Sequence, residues 1–460
     1  MPTHADLLRS DPRIAQAQRL LADALREHAA GLTGVRGPAP ELAAAYAALI
    51  EDTGKLRGAK LFYPYLGSGL GRGPWVELAD GSVKLDFITG IGPIGAGHGH
   101  PELLATGIDA ALEDLVMQGN LQLNPVTRDV IGLLVELASR QGAPLAHAYL
   151  STTGAMANEN ALKMAFQKRA PADRVLAFRG GFAGRTIATA AITDKAAYRE
   201  GVPLGLAVDH LPFPRSDRPA AEAEAQLLAV LDEHLHRHPK KHACLLIELI
   251  QGEGGYWTGH GSAFAALCRR CRAAGISIII DEVQSFARLE HPFAFQAYGL
   301  DDLIDIVTIG KISQVCATIY RDDHVPRPGL ISQTFTAATS ALHAGRWILR
   351  QLRDGTCYGP DGGNARLGAA FRQGLAAIAA RHPQKLQGPW GAGLMVGCTP
   401  LGGDKDRVGA LAKQLFADGL LCFTAGSDPA RIRFLPPVLT TDESHIAEAC
   451  RLLEAALVRA

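Results

Sequence analysis

The sequence predicts an α/β fold in which a large domain, built on a mostly parallel and doubly covered sheet, joins a smaller α+β domain. Three observations predict it. Between about residues 145 and 310, short apolar runs alternate with helical patterns. Those runs are continuous, as in strands buried on both faces, while the helices between them are amphipathic. The two ends of the chain, finally, are patterned differently from its middle.

Residues 1–40 have a helical period, and GPWVELADGSVKLDF reads as two short strands around an Asp80-Gly81 turn. The central alternation follows: strand AHAYL, helix GAMANENALKMAFQKR, strand RVLAF and helix AEAEAQLLAVLDEHLHRH. Next come strand ACLLIEL, helix SAFAALCRRCRAAG, and strands ISIIID and IDIVTI. Ligands of such sheets sit at the carboxyl ends of the strands. Toward the C-terminus, GPWGAGLMVGCTP, the helix VGALAKQLFADG, the strands LLCFT and RIRFL and a closing helix read as an α+β unit. The expected divisions are residues 1–90, contributing to the smaller domain, 91–345 for the large domain and 346–460 for the C-terminal unit.

The chain of 460 residues is too long for one small core. Lys plus Arg balance Asp plus Glu at 46 each, so no net field favours nucleic acid or an anionic membrane, and a small-molecule enzyme is the default. The N-terminus lacks the continuous apolar core of a secretory signal, and runs such as Ile276–Ile280 are too short to span a bilayer, which implies a cytoplasmic protein. Among eight cysteines only Cys268 and Cys271 form a CxxC pair, inside a helical pattern with no second pair beside it. The sixteen histidines show no HExxH spacing, so no metal is expected.

Four motifs fall at strand ends. In STTGAMANENALKMAF, Thr153 precedes Gly154 and Ala155, which open a helix whose free N–H groups suit a phosphate; an ordinary N-cap reads the same way. In FRGGFAGRT, Phe182 could stack on a flat ligand while Arg185 takes a carboxylate, although a glycine-rich turn with a core phenylalanine also fits. IIIDEVQ ends a strand in Asp281, either a helix cap or the partner of a cationic nitrogen, with Val283 and Gln284 just beyond it. In DIVTIGKISQVCA, Lys311 follows an apolar strand; buried, it would lose its charge and become nucleophilic enough for a Schiff base, whereas at the surface it would do nothing special. A phosphate-binding helix start, a stacking aromatic, an acid for a ring nitrogen and a Schiff-base lysine together describe a pocket for pyridoxal 5'-phosphate.

The order of the motifs resembles the class III pyridoxal-phosphate aminotransferases, of the aspartate-aminotransferase-like fold type I. The resemblance runs through GHGHPELL at Gly97, TGAMANE at Thr153, FAGRT at Phe182, ELIQGEGG at Glu248, DEVQSF at Asp281, IVTIGK at Ile306, QTFTAATS at Gln333, GAGLMVG at Gly391 and IRFLPPV at Ile432. It implies that Lys311 anchors the cofactor and shuttles the proton, and that Asp281 keeps the ring nitrogen protonated. Phe182 and Val283 would sandwich the ring, Gln284 would reach its hydroxyl, and Glu248 would belong to the cofactor site. Thr153, Gly154 and Ala155 would hold the phosphate, helped by Thr334 from a second subunit, so that a homodimer shares its active sites. Arg433 would take the carboxylate of a 2-oxo acid, Arg185 a distal carboxylate of an ω-amino acid, and Glu253 would be a gate that pairs with Arg433 when the amino donor is bound.

The implied activity is ping-pong transfer of a terminal amino group from a lysine, ornithine or 4-aminobutyrate type of donor to 2-oxoglutarate. Racemases, aminomutases and decarboxylating enzymes share the fold and the lysine, and a non-catalytic binding protein is the reading from another class. The chain departs from the family at Met156, Ala183, Leu249 and Thr336. After Lys311 it has Ser313, Gln314, Val315 and Cys316 in place of a glycine-rich run, wording similar to lysine 6-aminotransferases.

Overall fold

A computed structural model of the chain describes residues 1–114 and 121–460. Its centre is a seven-stranded sheet. In spatial order the strands are His147–Ser151, Cys316–Tyr320, Ile306–Ile309, Ser277–Asp281, His242–Ile247, Arg174–Phe178 and Ala207–Leu211. All pairings are parallel except the two made by Cys316–Tyr320, which runs antiparallel to both neighbours. The chain turns back immediately after Lys311 to form that strand, so no crossover helix lies between them.

The continuous apolar strand sequences have their cause in two buried faces. Successive side chains of a strand point to opposite sides. Thus Ile278 and Ile280 join one core cluster together with Leu245 and Ile247, while Ile279, Cys244 and Leu246 join the cluster on the other face. Helix Gly154–Arg169 covers the second face with Ala161, Leu162 and Ala165. Helices Ala220–Arg237 and Gly261–Ala273 cover the first, the latter with Leu267, Cys268 and Cys271. The two cysteines of the CxxC pair are therefore buried core residues on one helix face, and burial raises both thiols above their ordinary range.

The ends of the chain meet in a second sheet. Strands Gly67–Arg72, Trp75–Leu78 and Val83–Asp86 are extended by Leu420–Leu421, which pairs in parallel with Leu85 and Asp86. A third sheet combines Leu386–Ala392, Met395–Pro400, Arg431–Phe434 and Phe423–Ala425. The single run LLCFT thus serves two sheets, with buried Cys422 at the changeover. The Leu435 N–H donates to the Phe87 carbonyl at 2.6 Å, bringing the end of the IRFLPP strand to the segment that leads into Gly90–Gly97. Among the described residues no helix is long and apolar enough to cross a membrane.

Candidate functional site

Parallel strands place their carboxyl ends side by side, and the first polar residues past each strand converge there. Asp281 pairs in register with Thr308, and Lys311 follows the same Ile306–Ile309 strand. Lys311 adopts φ 62°, a left-handed conformation that non-glycine residues rarely hold, so local strain aims this residue. Gly92 lies against it. A Cβ on Gly92 would stand 3.5 Å from the Lys311 Cδ and 3.1 Å from an Arg288 guanidinium nitrogen.

Lys311 is half-buried as a residue, and protein surrounds its amine. Burial first, and then repulsion from Arg433, push its pKa down to about 8. Among the described residues no hydrogen bond or ion pair engages the amine. Arg288 contributes to the repulsion. It is buried, and its guanidinium donates to the carbonyls of Gly92 at 2.9 Å and Pro436 at 3.1 Å, tying three segments together around the lysine.

Asp281 is the complementary group. Its Oδ2 accepts from the Asn158 carboxamide at 2.7 Å and its Oδ1 from the Val283 N–H at 2.9 Å. Burial outweighs these bonds and raises the pKa. No salt bridge neutralises it among the described residues. A buried carboxylate without a cation is costly, and a protonated ring nitrogen beside it would supply one. Asn158 fixes its orientation, since the Asn158 amide also donates to the Ala183 carbonyl and its oxygen accepts from Thr308.

Helix Gly154–Arg169 begins beside this pair. Thr153 is its N-cap, accepting from the Met156 N–H at 3.1 Å. The N–H groups of Gly154 and Ala155 meet no protein acceptor among the described residues, which leaves a dipole end able to take a phosphate. Gly154 has a steric reason to be glycine: an added Cβ would lie 2.7 Å from Val283 Cγ1. Val283 also faces Gly310, whose added Cβ would lie 3.4 Å away. The anion-binding helix start, Val283 and the lysine turn thus form one wall.

Phe182, half-buried, hangs from a loop fixed by Glu248. The two carboxylate oxygens of Glu248 accept from the N–H groups of Phe182 at 2.9 Å and Gly252 at 3.0 Å. Burial, reinforced by Asp281, raises this carboxyl to about 8. Glu248 therefore acts on its surroundings through the backbone. Arg185 is exposed and stacks over the Tyr198 ring at 4.0 Å. Thr334 is also exposed, on the loop before helix Thr339–Asp354.

Arg433 is fully buried and reaches the same region. It donates to Glu253 Oε1 at 2.5 Å, to the Gly252 carbonyl at 3.2 Å and to the Gln284 carboxamide oxygen at 3.3 Å. The structure thus brings Lys311, Asp281, Val283, Gly154, Gln284, Arg433 and Glu253 together, with Thr153 and Ala155 at the helix start. It sets Arg185 and Thr334 on the surface. Asn158, Arg288 and Tyr198 were not singled out from the sequence. Asn158 carried a usable signal, a polar residue one helical turn from Gly154 on a face otherwise of small apolar residues. The donor set fits pyridoxal phosphate: an amine and a carboxylate without ion-pair partners and two free N–H groups stand together around Val283.

The sequence profile described as aminotransferase class III matches residues 68–457. Among curated relatives, the acetylornithine aminotransferase of Lactiplantibacillus plantarum is 30% identical over 377 residues, covering 80% of this chain and 88% of that protein. The acetylornithine aminotransferase of Caldanaerobacter subterraneus is 28% identical over 400 residues, covering 84% and 92%. Among solved structures, the lysine aminotransferase of M. tuberculosis in the internal aldimine form is similar with a TM-score of 0.77 at 25% identity, covering 89% of this chain and 99% of that one. The ornithine aminotransferase of Toxoplasma gondii shares the fold, with a TM-score of 0.76 at 23% identity over 92% and 99% of the two chains.

Proposed function

Because the chain belongs to the class III aminotransferase family and is a pyridoxal-phosphate-dependent aminotransferase, we propose that it moves the terminal amino group of an ω-amino acid or diamino acid, of the lysine, ornithine or 4-aminobutyrate type, to 2-oxoglutarate by a ping-pong sequence. The observation that carries this reading is the buried Arg433 paired with Glu253 beside the unpartnered Lys311. One cleft must accept a carboxylate-bearing acceptor and an amine-bearing end that has none, and a movable carboxylate on a fixed guanidinium serves both. The names of the lysine and ornithine aminotransferases of similar structure support the donor class.

When bound, pyridoxal phosphate supplies the electron sink for the carbon that loses or gains the amino group. Lys311, its pKa brought down to about 8, provides the anchoring amine and afterwards takes and returns the proton at that carbon. Asp281, oriented by Asn158, holds a proton on the ring nitrogen. Phe182 and Val283 flank the ring, and Gln284 reaches its hydroxyl. Thr153, Gly154 and Ala155 bind the phosphate, with Thr334 from a second copy of the chain, so the working unit is a homodimer. Arg185 takes the distal carboxylate of the donor. Eight unpaired cysteines support a reducing compartment such as the cytoplasm.

The test is a panel of amino donors mixed with purified holoenzyme. A matching donor converts the bound cofactor to its amino form, and 2-oxoglutarate then restores it with formation of glutamate. The reading falls if no donor converts the cofactor, or if a Lys311→Ala control keeps full turnover.

A further inference from the structure

A cavity of about 390 Å³ is lined by the gate residue Glu253 together with Phe182, Gln251 and Gly254. Arg179, Lys195, Arg215 and Arg218 bring positive charge to it. Half of that charge is already engaged. Arg215 forms an ion pair with Asp217 and covers the Trp257 ring at 3.3 Å, and Lys195 bonds to the Tyr198 hydroxyl at 3.1 Å; the exposed Arg218 acts on Asp217 only through its field. Of the acids there, Asp194 is held by the Gly180 N–H and Arg199, and Asp428 also lines the cavity.

Arg179 differs. Among the described residues its guanidinium has no hydrogen bond or ion pair, although its backbone is fixed at both ends. The Arg179 N–H donates to Leu211 at 2.8 Å, and its carbonyl accepts from the Gln251 carboxamide at 2.7 Å. The next residue, Gly180, touches the Glu253 segment, since a Cβ on Gly254 would stand 2.8 Å from the Gly180 carbonyl oxygen. A free cation and the gating carboxylate therefore stand on two segments in backbone contact, facing one cavity.

We propose that this cavity is the open seat of the gate, and that Arg179 is a positioning residue that receives the Glu253 carboxylate when a 2-oxo acid takes Arg433. The inference rests on the gate in the proposed function. A carboxylate displaced from Arg433 without a new cation would bear the full cost of losing its partner, and that cost would appear as weaker acceptor binding.

The experiment uses glutarate, an unreactive dicarboxylate, titrated calorimetrically into holoenzyme. Arg179→Met should weaken glutarate about fivefold to twentyfold, as expected for coupling between contacting charged groups. Arg179→Lys should restore most of the affinity. Conversion of the cofactor by the amino donor should stay within about twofold in Arg179→Met, because Glu253 remains on Arg433 in that half-reaction. In a Glu253→Gln background the Arg179→Met effect should disappear. Unchanged glutarate affinity, or an equal loss with and without Glu253, overturns the proposal. Failure of the unsubstituted enzyme to convert any donor would overturn the functional reading instead, which glutarate binding does not depend on.

Discussion

Removing the amine of Lys311 should stabilise the cofactor-free protein at neutral pH, by an amount that disappears in alkali. Burial and the nearby Arg433 hold this lysine at about 8, whereas an unfolded chain binds the proton with the ordinary affinity of a lysine, near 10.4. The unfolded state therefore binds the proton more tightly, and folding pays a penalty that is complete below the folded value, fades as pH rises from about 8 to about 10 and is gone above that. The gap between the two values corresponds to about 3 kcal/mol, an upper figure because the residue is only half-buried. Methionine in place of Lys311 keeps a similar length and removes the charge, so any packing gain it brings is independent of pH. Urea midpoints of the stripped protein and of Lys311→Met at pH 7 and pH 10 separate the two contributions. The variant should gain about 2–3 kcal/mol more at pH 7 than at pH 10, where only a small part of the penalty remains. A stability difference identical at both pH values would refute the assignment of Lys311 as a buried, destabilised cation.

Two further outcomes follow from the geometry. Gly154→Ala would push a methyl to 2.7 Å from Val283, costing about 1–3 kcal/mol and weakening pyridoxal phosphate in a titration of the apo-protein; a paired Val283→Ala should recover part of the loss. At the far edge of the sheet, burial alone would raise the carboxyl of Asp209, but bonds from Arg174 at 2.7 and 2.8 Å and from His242 at 2.7 Å outweigh it and hold it well below the carboxylate range. Such a group stabilises the fold above the unfolded value near 3.9 and stops doing so as pH falls below it, so Asp209→Asn should cost about 2 kcal/mol at pH 7 in urea denaturation and progressively less in acid.

Much of the central sheet was legible because two-sided burial leaves a mark on every residue of a strand. ISIIID and ACLLIEL have no polar alternation, and the structure shows why: Ile279 and Leu246 face one core while Ile280 and Ile247 face the other. The run LLCFT was legible as extended but not as divided, because nothing in five apolar or small residues says that Leu420–Leu421 will pair with Leu85 and Phe423–Ala425 with Arg431–Arg433. Strand partners are chosen by contacts between distant segments, and local pattern carries only the period.

The candidate site divides along the same line. Lys311, Asp281, Gly154 and Phe182 stand next to strand ends in the sequence, so the carboxyl-end rule for parallel sheets was enough to suspect them. Asn158 and Arg288 matter only because of what lies opposite: the first faces the Asp281 carboxylate, the second the carbonyls of Gly92 and Pro436. By itself the sequence determined which residue types could bind a phosphate, a ring and a carboxylate, since those capacities belong to side chains and local backbone. Whether Lys311 is charged, whether Glu253 rests on Arg433 and whether Arg179 is left without a partner were decided by the tertiary structure alone, because pKa values and ion pairs depend on burial and on neighbours far away in the chain.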